Sequence, residues 1–137
     1  MSSYIYHQNF LLHHTGPHHP ESPERLEAVM RHLDNRGLLD RLRAIDARPA
    51  TAAELEAVHA PQYLAELQAM AVRGGGQLDG DTTLSAESWK AATYAAGGAV
   101  AAVEAVMDSG VPDCFVLSRP PGHHAFGRRG SGFCLIN

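Results

Sequence analysis

Cys114-Phe115-Val116-Leu117-Ser118-Arg119-Pro120-Pro121-Gly122-His123-His124-Ala125 changes character half-way along. Its first residues are a continuous apolar run, the pattern of a strand buried on both faces in a parallel sheet. Two prolines and a glycine then impose an irregular backbone, so a loop begins at the C-terminal end of that strand. Open α/β sheets form their ligand sites at such ends. Adjacent side chains on a strand point to opposite faces, but on a kinked loop two neighbouring imidazoles can share one cavity. Histidine titrates near neutral pH, so His123 and His124 can divide the work of base and electrostatic stabiliser. The bland alternative is a surface loop with incidental histidines, and a bare His-His pair is usually that. The string around this pair favours the chemical reading.

Upstream, helical and extended patterns alternate. Ser85 is expected to cap a long Ala-rich helix reaching about Asp108, whose small residues suit close packing on a sheet. Before it, Gln77 to Leu84 reads as a polar loop with acids at Asp79 and Asp81, and Gly74-Gly75-Gly76 stops the preceding helix. That helix starts at Pro61 and carries Tyr63, Leu64 and Leu67. Thr51-Ala52-Ala53-Glu54 matches a capping box, with Leu55 and Val58 behind it. Leu42 to Ile45 is a weak second strand. Ser22-Pro23-Glu24 opens a helix with Leu26, Val29, Met30 and Leu33 on one face, closed by Gly37. Between it and a first strand at Ser3-Tyr4-Ile5-Tyr6 lies a Gly- and Pro-broken segment with His13, His14, His18 and His19. Strands alternating with helices predict a parallel α/β sheet.

The 137 residues fit one domain, taken as 1–137. A net charge of -4 and the absence of a basic stripe give no pull toward nucleic acid or anionic membrane. No run approaches the ~18 apolar residues of a membrane span. No signal peptide is read at Met1-Ser2-Ser3-Tyr4, so a cytoplasmic protein with reduced thiols at Cys114 and Cys134 is expected.

Pro120-Pro121-Gly122-His123-His124-Ala125 followed by Gly132-Phe133-Cys134 resembles the tandem-histidine motif of the histone deacetylases and acetylpolyamine amidohydrolases. His18-His19-Pro20-Glu21-Ser22-Pro23-Glu24-Arg25-Leu26, Arg48 through Val58-His59 with Tyr63-Leu64, and Gly97-Gly98 with Val103-Glu104-Ala105-Val106 resemble further segments in the family's order. The flavour is class II or bacterial. The resemblance implies the three-layer parallel-sheet arginase/deacetylase fold, here its N-terminal part with about three strands and flanking helices. Those strands would lie side by side, the third exposed on one edge and open to self-association.

The resemblance also implies roles. His124 would be the general base, and His123 the cation that stabilises the oxyanion. Gly132 would offer its carbonyl to the substrate amide, and Phe133 would wall the acyl channel. Pro20 and His19 would lie at the rim, and Glu87 would grip the substrate from the mouth. Asp79 and Asp81 either add acidity there, favouring a cationic substrate, or simply shape a turn. Cys134 would sit by the channel floor without a catalytic role.

The substrate implied is an acetylated amine, acetyl-lysine or an acetylpolyamine, and the cofactor zinc. The family's ligands, an Asp-x-His pair and a further Asp, follow the tandem histidines. The thirteen residues after His124 contain no Asp, Glu or His. His14 and His18 have i, i+4 spacing, but Gly16-Pro17 forbids the helix they would need. No zinc site is therefore expected in this chain by itself, and no activity. The alternative from another class is a non-catalytic α/β module that self-associates or pairs with a complementing chain.

Overall fold

Ser3 and Ile5 are fully enclosed while Tyr4 between them is half-covered, the alternation of a central strand. This strand, β1 (Ser3–Ile5), lies between two parallel neighbours in a computed structural model describing residues 1–137. Helix α1 (Pro23–Asn35) leads to β2 (Arg43–Ile45), which pairs Ser3 with Arg43. Then come α2 (Ala52–Glu56), α3 (Pro61–Val72), β3 (Gly75–Gln77), β4 (Thr83–Ser85), α4 (Ser88–Asp108) and β5 (Cys114–Val116). The sheet order β2-β1-β5 puts β5 on an edge, as expected from the resemblance.

Two apolar clusters hold these layers. Ile5, Phe10, Leu26, Ala101, Ala102 and Leu117 join the sheet to its helices; Leu55, Tyr63, Leu64, Leu67, Leu84, Leu135 and Ile136 centre on α3. Helix α4 approaches so closely because of its glycines. A Cβ on Gly97 would overlap the Arg48 carbonyl oxygen, and one on Gly98 would touch Ile5 and Phe10. The capping box is complete: Thr51 Oγ1 accepts from Glu54 N–H at 3.2 Å, and Glu54 accepts from Thr51 N–H at 2.8 Å. Arg48 forks onto the same carboxylate at 2.8 and 2.9 Å, holding its pKa down to about 2.

Five expectations are corrected. The segment expected as a polar loop contributes to a hairpin, with Gly75 opposite Ser85 and Gln77 opposite Thr83. Ser85 belongs to β4, and Glu87 takes the N-cap position of α4, two residues later than expected. Ser22 has extended N-cap geometry but makes no side-chain capping bond. Val29 and Val58 are exposed: Leu26 is the buried residue of α1, and Val58 lies beyond the end of α2. Phe115 is 67% exposed, so β5 is not covered on both faces within these residues. No helix is long and apolar enough to cross a membrane.

Candidate active site

Just past β5, the chain leaves the sheet through Leu117 and Arg119, both buried, and turns at Pro120-Pro121-Gly122. The next turn, with His123 and His124 at its centre, is closed by Ala125 N–H donating to the Gly122 carbonyl at 3.0 Å. It brings His123 and His124 out side by side, ring centroids 4.2 Å apart and planes inclined at 59°. Both rings are solvent-exposed. The kinked loop therefore does what a strand could not, and presents two consecutive imidazoles together.

Gly132 closes over His124. Its φ of +55° lies in the left-handed region, and a Cβ there would come within 2.9 Å of the His124 ring. Glycine is the residue that lets the 131–134 turn pack on that imidazole. The Gly132 carbonyl accepts from the Cys134 thiol at 3.4 Å. Burial raises the pKa of Cys134, opposed by backbone hydrogen bonding from His124 and Ala125.

Phe133 follows with φ +71°, its N–H donating to Thr82 Oγ1 at 3.1 Å and its ring edge-on to His19 at 4.7 Å. His19 is pinned at both nitrogens: Glu21 N–H donates to Nδ1 at 3.1 Å, and Nε2 donates to the Asp81 carbonyl at 3.0 Å. Phe133 and Pro20 line one cleft of about 350 Å³ with Glu21, Arg25, Ser118, Arg119 and Pro121. The structure thus groups Gly132 with His124 and His123, and joins Phe133 to His19 and Pro20.

Glu87 is not brought to this group. It sits exposed at the N-cap position of α4, beside a depression formed by Gln68, Ala71, Val72, Trp89 and Lys90. The Asp79 carboxylate accepts from Asp81 N–H at 3.1 Å and Thr82 N–H at 2.8 Å, which matches the turn-shaping reading. The Thr82 side chain first, and these N–H groups after it, lower its pKa.

Three polar groups beneath the loop escaped the sequence reading. His59 is 1% exposed and its Nε2 accepts from Asn137 N–H at 2.9 Å. Burial lowers its pKa. Tyr63 hydroxyl donates to the Leu135 carbonyl at 2.7 Å. Arg119, 3% exposed, forks onto Glu21 at 2.8 and 2.9 Å. The one available signal was Arg119 itself, a charge at the end of an apolar run that needs a partner when buried. His, Cys, Asp and Glu side chains nowhere gather in threes to hold a metal ion.

The histone deacetylase domain matches residues 19–137. The chain belongs to the histone deacetylase family. A probable deacetylase of Archaeoglobus fulgidus is 36% identical over 97% of this chain and 37% of its own length. Polyamine deacetylase HDAC10 of Homo sapiens is 36% identical over 85% of this chain and 18% of its own. The crystal structure of the HDA15 HD domain superimposes with a TM-score of 0.94 at 32% identity, covering 99% of this chain and 40% of that one. This histone deacetylase segment therefore spans less than half the length of these proteins.

Proposed function

We propose that these residues form the tandem-histidine wall of a deacetylase that hydrolyses acetyl-lysine or an acetylated polyamine. The observation that carries the proposal is the pair of exposed imidazoles, ring centroids 4.2 Å apart, on a turn that follows the C-terminal end of a parallel strand. In amide hydrolysis water adds to the acetyl carbonyl carbon, giving a tetrahedral oxyanion, and the C–N bond then breaks. His124, packed against Gly132, would take the water proton and pass it to the departing amine, leaving acetate and a free amine. His123 would stabilise the oxyanion. Gly132 would orient the amide through its carbonyl, while Phe133, His19 and Pro20 would shape the mouth.

Zinc, which the family resemblance implies, does not fit the donors present, since no trio of side chains converges on one point. It would have to be held by residues outside these 137. The test compares acetate release from an acetyl-lysine peptide and from acetylspermidine. A longer protein containing this segment should turn over at least one of them, and the 137-residue chain neither. Turnover by the chain alone would sink the assignment of the missing donors to other residues. Inactivity of the longer protein on both would sink the deacetylase reading.

A second reading, self-association, has its own observation. Ser3 N–H bonds the Asp113 carbonyl at 3.2 Å, and Leu117 N–H bonds that of Ile5 at 2.9 Å. The alternate residues Cys114 and Val116 accordingly turn their main-chain groups to the open edge of β5. Phe115 adds an exposed ring on the same strand. Such edges invite pairing with another chain. Light scattering should show association that Phe115→Lys weakens; a monomer at high concentration would count against it.

A further inference from the structure

Arg119 immediately precedes the turn that carries His123 and His124, and its side chain is the most enclosed cation near the site. Each of its three nitrogens donates one hydrogen bond. Nε and Nη2 donate to the two Glu21 oxygens at 2.8 and 2.9 Å, and Nη1 donates to the Phe10 carbonyl at 2.9 Å. A fork of this kind fixes the guanidinium plane as well as its distance. Glu21 lies 98 residues away in sequence, so the pair ties the end of β5 to the loop before α1.

The other flank of Glu21 is equally ordered. His13, 1% exposed, has Nε2 3.6 Å from Glu21 Oε2, an electrostatic contact beyond hydrogen-bond range. Its Nδ1 is 2.7 Å from Ser88 Oγ. Ser88 Oγ also accepts from Ser85 N–H at 2.6 Å, and the two serine hydroxyls are 2.8 Å apart. Ser85 Oγ in turn accepts from His14 N–H at 3.1 Å.

Counting protons orders this chain. Each serine has a single O–H to give. If Ser85 donates to Ser88 and Ser88 to His13 Nδ1, the imidazole keeps its proton on Nε2, facing the Glu21 carboxylate. The opposite direction would set a bare Nε2 lone pair against that carboxylate. Electrostatics selects the first.

We infer that Ser85, Ser88, His13, Glu21 and Arg119 form a positioning network for the tandem histidines. None is required to touch substrate. They hold the end of β5 against the N-terminal loop and the start of α4, so that the Pro120–Gly122 turn departs from a fixed point. The functional meaning of the network rests on the deacetylase reading; its physical claim does not.

Isotope-labelled chain tests it by NMR. In the unaltered protein, His13 should be the Nε2–H tautomer and the Arg119 Nε–H should exchange far more slowly than that of exposed Arg25. Glu21→Gln removes the charge and keeps the shape, while Arg119→Lys keeps the charge and removes the fork. Either folded variant should lose the ring-to-ring NOE between His123 and His124 and broaden their signals, with the Thr51–Glu54 cap unmoved. Unchanged histidine signals in a folded variant would overturn the inference. So would an Nδ1–H tautomer or a fast-exchanging Arg119 in the unaltered chain, and these decide the matter if neither variant folds. An active His124→Ala enzyme would sink the deacetylase reading and leave the network standing. Unchanged loop order would do the reverse.

Discussion

Alanine at position 124 should lower kcat of a longer deacetylase containing this segment by about 10²-fold or more, the usual loss on removing a general acid-base group. The structure says where the loss comes from. The His124 ring lies against Gly132, within 2.9 Å of where a Cβ would be, so its place depends on both the 122–124 turn and the 131–134 turn. Truncation leaves that second turn and the carbonyl of Gly132 in place. Substrate binding should therefore suffer less than turnover, giving a fall in kcat with a smaller change in KM. His123→Ala should also cost activity through the oxyanion. Steady-state kinetics on an acetyl-lysine peptide provide the measurement. Full activity in His124→Ala would show that the proton is carried elsewhere.

Arg119→Ala should destabilise the fold by about 3–5 kcal/mol, the range for removing one partner of a buried ion pair. That is a large share of the ~5–15 kcal/mol by which domains are stable. Two features place it in that range. Arg119 is 3% exposed and the Glu21 side chain 14%, so the carboxylate left behind is poorly solvated. The Phe10 carbonyl also loses its donor. Urea unfolding followed by circular dichroism would measure the shift. A midpoint within error of the unaltered chain would show that Glu21 finds water or another partner.

The same cluster has a pH signature. Burial first, and the Arg119 charge second, lower the His13 pKa to about 3, against about 6.5 for an unfolded histidine. Between these values the unfolded chain binds the extra proton. Stability should accordingly rise with pH through this window. It is complete above about pH 6.5 and is lost as pH falls toward 3. His13→Gln should flatten the dependence of the urea midpoint between about pH 7 and 5. An equally steep fall in that variant would assign the acid sensitivity to other groups.

Local rules written in the chain were enough for much of this molecule. The Thr51–Glu54 box, Pro23 and Pro61 at helix starts, Gly37 at a helix end and the apolar spacing of Tyr63, Leu64 and Leu67 act within one or two turns. Such interactions are visible without knowing the rest of the fold. Alternation of strands with helices was also enough for the parallel sheet, and the Pro-Pro-Gly-His-His string for the place of the paired imidazoles. Order of strands came from family likeness rather than from pattern.

Tertiary structure alone decided features whose partners are far apart in sequence. Gly75–Gln77 has no strand propensity of its own, and pairing with Thr83–Ser85 makes it extended. Glu87 rather than Ser85 takes the N-cap position of α4, because Ser85 is already paired in that hairpin opposite Gly75. Glu87 sits by a separate depression because α4 starts there, a placement that follows from packing on α3. His13 and His59 look like surface polar residues in the sequence and are enclosed in the structure. Arg119 reads as a charge after a strand, and only the return of residues 10 to 21 against β5 gives it Glu21 and the Phe10 carbonyl. The division has one physical cause: caps, turns and periodicity depend on neighbours a few residues away. Burial of a charge or an imidazole depends on which distant segment arrives to satisfy it.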